Sequence, residues 1–444
     1  MRCRVVIILL SVFLWEMQAA SAQKITWNQH IAPIIHANCT PCHKKGDAAP
    51  FELMTYDDVA KRATFIKQVT QNRYMPPWKA DSHYASFANE RRLTDEEIAM
   101  IAEWADNKMP KGKEVARQEE VHFVEGTHYD RKPDTVLQMP KAFHIQGDNK
   151  ERFIVYKIPF ELAADMNVEA IEFVSSNRKV IHHANYEIDA VPDPNLDIYA
   201  GQDYINLTEE DRNKYVQYVP FRQHMIYYGG WIPGATCESY PKNIGWIMPK
   251  RGVILLTLHY APVGKEEDNI SGIQLFFTKI PVKREIRAVS FGSGGVGEKD
   301  IDPYFYIPAD AVKTFRLKVT VPEDQSLMYV WPHMHYIGTK FKAFGVTPAG
   351  DTVKMVSVTD WDFKWQEVYW YPKLLKLPKG TIIHIEATYD NTAANPANPS
   401  SPPRLIYSSG DMKSTDEMLT LVMLYLTYEK EDETINLKNE SKVK

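Results

Sequence analysis

The stretch Phe315-Arg316-Leu317-Lys318-Val319-Thr320-Val321 alternates apolar and polar side chains, and the alternation returns in Ile383-His384-Ile385-Glu386-Ala387-Thr388-Tyr389. Because successive side chains of a strand point to opposite faces, each stretch predicts a half-buried strand. The run from Val253 to Tyr260 is apolar on both faces, which is typical of the inside of a sandwich. We therefore expect the chain to be β-rich from about Thr135 onward.

This β-rich region is too long for one domain of a common type. Roughly 300 residues of short strands separated by Pro, Gly, Asn and Asp exceed the size of one ordinary sandwich. We place a boundary near Lys283 and expect two β-sandwiches in tandem, over residues 119–283 and 284–430. Residues 431–444 are expected to form a charged, solvated tail.

The first residues are typical of an exported protein. Arg2 and Arg4 precede an apolar run from Val5 to Trp15, and Ala20-Ser21-Ala22 offers a small-residue cleavage site. This run is shorter than the roughly 20 residues of a membrane-spanning helix. We expect residues 1–22 to be a cleaved signal peptide, the mature chain to lack a membrane span, and the protein to be periplasmic or secreted.

Composition narrows the class of protein further. The 444 residues carry a formal net charge of −5, without the basic surplus of a nucleic-acid-binding protein. Cys3 belongs to the signal segment, which leaves Cys39, Cys42 and Cys237 in the mature chain. Three cysteines are too few for a disulfide framework, so we expect buried cores to stabilise the fold.

Residues 23–118 are predicted to form a small all-α domain. Thr94-Asp95-Glu96-Glu97 has the pattern of a helix capping box, and apolar residues then repeat at helical spacing. The run stops at Met109-Pro110-Lys111-Gly112, where proline and glycine end a helix.

Cys39-Thr40-Pro41-Cys42-His43 is the C-x-x-C-H pattern of covalent haem attachment. Two thiols at this spacing can each add to a haem vinyl group, and the adjacent His43 is then held against the iron. A dithiol redox or zinc motif is the alternative, but the exported context and the missing second cysteine pair weigh against zinc. We predict one covalent haem c.

The distal haem ligand is predicted to be Met75, in Tyr74-Met75-Pro76-Pro77-Trp78. The prolines favour an extended loop that can present the thioether to the iron. His36 and His83 stay as alternatives. The stretch from Ile25 to Gly112 resembles a small class-I-like cytochrome c, and in such proteins a loop methionine is the distal ligand.

Three groups of histidines lie on predicted strands or at their ends: His182-His183, His259, and His333 with His335. Residues two apart share a strand face, so His333 and His335 can reach one ion. The adjacent His182 and His183 would point to opposite faces unless a bulge or a strand end intervenes. A single such histidine is more often an ordinary core or surface residue, but the groups together favour metal binding.

The ordered set His-His, Leu258-His259-Tyr260, His-x-His and Asp416-Glu417-Met418 resembles the copper type II, ascorbate-dependent monooxygenases. These include peptidylglycine α-hydroxylating and dopamine β-monooxygenase, which have two jelly-roll β-sandwiches with one copper each. The motifs span residues from about 130 to 430. The resemblance implies an electron-transfer copper on His182, His183 and His259, and an oxygen-activating copper on His333, His335 and Met418.

The sequence departs from this family at two points. Its animal members are rich in disulfides, whereas Cys237 is the single cysteine of the sandwich region. The peptide hydroxylases bind the substrate carboxylate with an Arg where this chain has Trp331, and Thr420 and Val422 replace their Asn and Tyr. We therefore expect a small apolar or aromatic substrate rather than a glycine-extended peptide.

The resemblance implies hydroxylation of a C–H bond by dioxygen, with two electrons supplied by an ascorbate-like reductant or a redox protein. In that scheme the haem passes single electrons to the first copper. A non-catalytic haem and copper electron-transfer or copper-binding protein is the alternative, and the soft Met418 ligand favours the enzyme. A zinc hydrolase built on the first three histidines would need a general base that the sequence does not identify.

Overall fold

The computed structural model describes residues 24–114, 127–208, 212–407 and 415–437. The predicted signal peptide, residues 1–22, lies outside the described residues. Strands account for 39% of the structure and helices for 15%, so the chain is β-rich, as the alternating stretches predict. In the described ranges, no helix combines the length and the apolar character needed to cross a bilayer.

The chain divides into two compact units. Among the described residues, one unit, the helical unit, contains 24–40, 53–75 and 93–114; the other, the β unit, contains 41–52, 76–92 and the described residues from 127 onward. The helical unit has a π-helical turn, Trp27–Ile31, followed by α1 (Ala32–Asn38), α2 (Tyr56–Ala60), α3 (Ala63–Gln71) and α4 (Asp95–Asp106).

Helix α4 begins at the predicted capping box. The hydroxyl of Thr94 accepts a hydrogen bond from the Glu97 N–H at 3.1 Å, and the Glu97 carboxylate accepts one from the Thr94 N–H at 2.8 Å. Buried Trp27, Ile101 and Trp104 form the core beside it. Among the described residues, however, an all-α cytochrome domain over 23–118 is not evident, because the helices are short and two intervening segments belong to the β unit.

The strands of the β unit fall into two successive sets. The first set is β1 (Thr135–Gln138), β2 (Phe143–Ile145), β3 (Arg152–Glu161), β4 (Met166–Ser175), β5 (Ile181–Ala190), β6 (Tyr204–Asn206), β7 (Met225–Trp231), β8 (Glu238–Ser239), β9 (Ile244–Met248), β10 (Arg251–Tyr260), β11 (Glu267–Asn269), β12 (Ser271–Phe277) and β13 (Arg284–Glu285). Short 3-10 helices, Arg178–Val180 and Arg212–Phe221, lie between some of them.

The second set is β14 (Arg287–Gly292), β15 (Tyr306–Ile307), β16 (Ala311–Thr320), β17 (Gln325–His333), β18 (Gly338–Val346), β19 (Thr352–Val358), β20 (Tyr369–Leu377), β21 (Ile382–Asn391), β22 (Ile406–Tyr407) and β23 (Thr420–Thr427). A 3-10 turn, Glu298–Asp300, follows β14, and another, Lys430–Thr434, follows β23.

Each set forms two main sheets, giving a jelly-roll-like arrangement. In the first set the strand orders are β1-β12-β4-β9-β13, with β8 on β4, and β6-β3-β10-β5-β7; β2 and β11 form a separate ribbon. In the second set they are β14-β23-β17-β20 and β16-β21-β18-β19, with β15 beside β22. The sheets of the first set thus end at Glu285, and those of the second begin at Arg287.

The stretches that alternate in the sequence pair with each other. Strands β16 and β21 are antiparallel along their whole length, with Phe315 opposite Ala387. Phe315 and Leu317 are buried, while Arg316 and Lys318, which follow them in turn, are exposed. The alternation therefore predicts the buried face correctly. Strand β10 is buried on both faces, again as predicted.

One hydrophobic core includes residues of both pairs of sheets, and a second core is built mainly by the second pair. Trp331 of β17 lies so close to β7 that a Cβ atom on Gly230 would stand 2.3 Å from the indole ring. Only glycine permits this approach. The indole N–H of Trp331 donates to the carbonyl of Gln366 at 3.2 Å, so the tryptophan joins both sandwiches and a loop of the second.

Two segments of the predicted haem domain pack on strands instead. In residues 41–52, Asp47 pairs with Arg178 at 3.2 Å, just before β5. In residues 76–92, the Asp81 N–H donates to Ser357 of β19 at 2.8 Å, and the Ala88 N–H donates to Trp370 of β20 at 2.7 Å. Residues 76–92 are therefore joined to β19 and β20 by backbone hydrogen bonds, and residues 41–52 are joined to the segment before β5 by an ion pair.

The expectation of a solvated tail is wrong for its described part, residues 431–437. Asp432 in the final 3-10 turn is buried and accepts hydrogen bonds from both terminal nitrogens of Arg284, at 2.8 and 3.0 Å, and from the Ser326 hydroxyl at 2.6 Å. Leu437 is also buried. The charge of this segment does not place it in solvent, because the Asp432 carboxylate is paired with Arg284.

Substituting Asp432 with Ala should lower the free energy of unfolding by about 3 kcal/mol, because Arg284 would lose its buried partner. Urea unfolding followed by tryptophan fluorescence measures this change. Glu433→Ala is the control, since its exposed pair with Lys430 should contribute little. A midpoint for Asp432→Ala equal to that of the control would contradict the assignment.

Candidate metal centres

The first candidate centre is built by a bulge where β5 pairs with β10. His183 lies opposite His259, but the next pair joins Ile181 to Tyr260, so His182 is an extra residue on β5. A bulge of this kind re-aims one side chain of the strand. The irregularity that joint ligation by His182 and His183 requires is therefore present.

The histidine triad, His182, His183 and His259, presents three nitrogens to one another. Nδ1 of His259 lies 3.0 Å from Nδ1 of His182 and 3.4 Å from Nδ1 of His183. One nitrogen from each ring lies within 4.8 Å of the other two. His183 and His259 are buried and His182 is half-buried. Three converging imidazoles could hold a metal ion.

Burial keeps these imidazoles neutral. Burial, with a smaller effect of His259, lowers the pKa of His182 to about 3. Burial also lowers the pKa of His183 well below its ordinary value, and that of His259, although Glu151 opposes the shift at His259. Neutral imidazole is the form that binds metals, so the triad can bind without first releasing protons.

Glu151 supports the triad from the outer edge of His259. Its Oε2 atom lies 3.3 Å from Nε2 of His259, and its Oε1 atom accepts a hydrogen bond from the Tyr336 hydroxyl. Burial acts to raise the pKa of Glu151, but His259 and Tyr336 outweigh it and bring the pKa to about 2. A carboxylate at the outer nitrogen is a common support of a metal-binding histidine. The sequence carries no motif that singles out Glu151.

The second candidate centre lies where β17 ends. Nε2 of His333 is 3.2 Å from Nε2 of His335. The Nδ1–H group of His335 donates to the carbonyl of Asp416 at 3.0 Å, which leaves Nε2 to face His333. Burial lowers the pKa of His333 to about 4, against a contact with Gln366 that raises it. These two residues, the histidine pair, match the same-face spacing in the sequence.

Glu417 holds the segment that carries the pair. Its carboxylate accepts hydrogen bonds from the N–H groups of His335 and Ile337, each at 2.8 Å. Burial raises its pKa to about 8, although these hydrogen bonds oppose the shift. Met418 follows directly; it is half-buried and its carbonyl accepts from the Tyr389 hydroxyl at 2.7 Å. The main chain before the predicted thioether ligand is thus bound to His335.

Phe363 is a shared neighbour of both groups of histidines. Its ring centroid lies 5.4 Å from that of His182, 5.8 Å from that of His259 and 5.6 Å from that of His335. It lies in the loop between β19 and β20, where no sequence pattern indicated a functional residue. One aromatic ring therefore contacts two sets of potential ligands that are about 75 to 150 positions apart in the sequence.

The haem motif is divided between the two units: Cys39 belongs to the helical unit, and Cys42 and His43 belong to the β unit. Cys39 ends α1, where its N–H donates to Ile35 at 2.8 Å. His43, in the β unit, donates from Nδ1 to the carbonyl of Phe51 at 2.9 Å, so its Nε2 carries the lone pair that iron ligation needs. Cys42 packs against Gly234, whose φ of +87° and lack of Cβ permit the contact. Burial raises the pKa of the Cys42 thiol.

The three candidates for the distal haem ligand have different surroundings. Met75 is half-buried in the helical unit, and its N–H donates to Val69 at 3.0 Å. In the same unit, Nε2 of His36 contacts the Met54 carbonyl at 3.3 Å. His83 is exposed on a segment of the β unit. The choice of Met75 stays a prediction.

We expect the triad and the pair to bind one copper ion each. Substituting both His182 and His183 with Ala should remove one of two bound ions, and substituting both His333 and His335 should remove the other. Copper per chain is measured by mass spectrometry after loading and desalting. His384→Ala is the control, because this ring stacks on Phe344 outside both groups. Loss of both ions from either double variant would contradict two separate centres.

Neither a protein-family model nor a curated protein sequence matches the chain. Among solved structures, the chain is distantly similar to the VP2 subviral particle of infectious bursal disease virus, at 10% identity over 67% of this chain and 78% of that one, with a TM-score of 0.16. An allantoicase gives 10% identity over 60% and 88%, with a TM-score of 0.15. PNGF-II gives 11% over 69% and 65%, with a TM-score of 0.19. At these TM-scores, none bears on the fold or function of this chain.

Proposed function

We propose that this protein is a copper-dependent monooxygenase that hydroxylates a C–H bond of a small apolar or aromatic substrate with dioxygen. The observation that carries the proposal is the presence of two sets of converging imidazoles, one in each sandwich, with Phe363 beside both. A protein that binds a single metal ion would need only one such set.

The donor types fit copper. Imidazole suits both of its oxidation states, and a thioether from Met418 would favour Cu(I). His182, His183 and His259 would hold one ion; His333, His335 and Met418 would hold the other. Copper would supply one-electron redox chemistry and dioxygen activation. The protein's own part is to fix the ligands: Glu151 orients His259, while Glu417 and the Asp416 carbonyl orient His335.

The surroundings of the pair support an apolar or aromatic substrate. Trp331, at the position where the peptide hydroxylases have an Arg, is buried in the shared core and offers no cation to a carboxylate. Thr420 is also buried, and its hydroxyl donates to the Ser293 carbonyl at 3.1 Å. Phe363 and Tyr336, whose ring centroids are 4.4 Å apart, add aromatic surface beside His335.

Electron entry through a c-type haem is part of the proposal. Cys39 and Cys42 would carry the thioether bonds, with His43 on the iron and Met75 as the distal ligand. The haem would store single electrons from an ascorbate-like reductant or a redox protein. A periplasmic or secreted location belongs to the same proposal, because covalent haem and the signal-like first residues both indicate export.

Replacing Met418 by His tests the oxygen-activating role. An imidazole should keep copper bound yet disfavour Cu(I), so copper-dependent oxygen uptake should fall by more than about tenfold while copper content stays constant. Oxygen uptake of the reduced, copper-loaded protein is the measurement. Met355→Leu, in the core of the second sandwich, is the control and should retain uptake.

Full oxygen-dependent activity in Met418→His would contradict this function. The same holds for oxygen uptake in the wild type that does not depend on copper. A protein that binds two coppers and exchanges electrons without consuming oxygen would be the non-catalytic electron-transfer protein instead.

The haem is tested separately. Because thioether bonds survive denaturation, haem should remain on the polypeptide in a denaturing gel, and substituting Cys39 and Cys42 with Ala should abolish the haem stain. Cys237→Ala is the matched control, since this buried thiol lies outside the motif. Met75→Ala should keep the haem but alter its spectrum. A colourless wild-type protein from a periplasm competent in haem attachment would overturn the assignment.

A further inference from the structure

A chain of contacts joins the triad of the first sandwich to the pair of the second. Nε2 of His259 lies 3.3 Å from Glu151, and the other oxygen of Glu151 accepts a hydrogen bond from the Tyr336 hydroxyl. Tyr336 follows His335 directly in the sequence. The link therefore crosses from one sandwich to the other through two side chains.

The chemistry of His259 requires a partner at this point. Its Nδ1 atom faces the other two rings of the triad, so a metal there would take the Nδ1 lone pair. The proton of the neutral ring is then on Nε2, which is buried and lies 3.3 Å from Oε2 of Glu151, although the N–H group does not point directly at this oxygen. An ionised carboxylate at this distance favours this tautomer electrostatically and restrains the ring. Phe153, stacked on His259 with centroids 4.0 Å apart, restricts the same ring from its face.

Tyr336 is itself held firmly. The N–H groups on either side of it, those of His335 and Ile337, both donate to Glu417. Its ring packs on Phe363, with centroids 4.4 Å apart. The position of the Tyr336 hydroxyl, and with it the hydrogen bond to Glu151, is thus set by the same segment that carries the histidine pair.

We propose that Glu151 and Tyr336 are positioning residues that link the triad to the segment carrying His335, so that metal affinity at the triad depends on a side chain of the other sandwich. The inference rests on the proposed function only in taking the triad as a metal centre. Because coupling of binding free energies is reciprocal, a metal at the triad also favours the arrangement of the segment that carries His335.

The test uses Cu(II) binding to the full chain, with both His333→Ala and His335→Ala present throughout so that the triad alone is titrated. Affinity is measured by competition with a chelator, and electron paramagnetic resonance reports the nitrogen ligands. Glu151→Gln should weaken binding by about 10- to 100-fold, as is usual for partners of metal-binding histidines. Tyr336→Phe should weaken it by a smaller factor, although Tyr336 lies in the other sandwich.

Two controls match these changes. Glu161→Gln removes a carboxylate that pairs with Arg251 in the same sandwich, and Tyr371→Phe removes a buried hydroxyl that donates to Met355. Both should bind copper with wild-type affinity. The double variant of Glu151→Gln and Tyr336→Phe should bind no more weakly than Glu151→Gln alone, because the two residues act through one link.

Tyr336→Phe with the affinity of Tyr371→Phe would overturn the coupling, and so would a double variant whose loss equals the product of the single losses. Thermal unfolding of the metal-free variants checks that they fold, and Tyr336→Phe carries the test if Glu151→Gln does not. If the wild type shows copper-dependent oxygen uptake but Tyr336→Phe binds copper as tightly as Tyr371→Phe, the coupling is refuted and the proposed function is not. Coupled binding without oxygen uptake refutes the monooxygenase alone. A triad that binds no copper refutes both.

Discussion

The bulge at His182 is the constraint on which the first centre depends. In an unbroken antiparallel pair, His182 and His183 would face opposite sides of the sheet, and one of them could not reach His259. The extra residue lets β5 present two adjacent imidazoles to the one on β10. Both strands are central in their sheet: β10 pairs with β3 along its whole length, and β5 pairs with β7 from Ala184 onward, directly after the bulge.

The second centre is held near the first because the sandwiches share a core. Trp331 can approach β7 only where Gly230 lacks a Cβ, and two residues later the chain reaches His333. Phe363 then fills the space beside both groups of imidazoles. Packing of large apolar side chains thus sets the spacing, and the Glu151 to Tyr336 hydrogen bond refines it. Burial supplies the energy, while the polar link supplies the orientation.

Features encoded by local pattern could be predicted, and features encoded by distant contacts could not. The alternation around Phe315 and the capping box at Thr94 depend on neighbours in sequence, and both are confirmed. The same-face spacing of His333 and His335 is also a local property. Glu151 acquires its role from His259 and Tyr336, more than 100 residues away, so no window of sequence contains the signal. The burial of Asp432 could not be predicted for the same reason, since its partner Arg284 lies far upstream.

The partners of the ring nitrogens separate these histidines from ordinary core histidines. A histidine buried for structural reasons places both ring nitrogens against protein donors or acceptors. Here His259 directs one nitrogen to Glu151, and His335 directs one to the Asp416 carbonyl, while the other nitrogen of each faces another imidazole. A single contact of this kind can be an ordinary N–H···N hydrogen bond. In the triad, however, Nδ1 of His259 has one lone pair and faces two imidazole nitrogens, whereas a cation at that point could take a lone pair from each of the three rings, so the triad fits a metal ion better than a purely structural role.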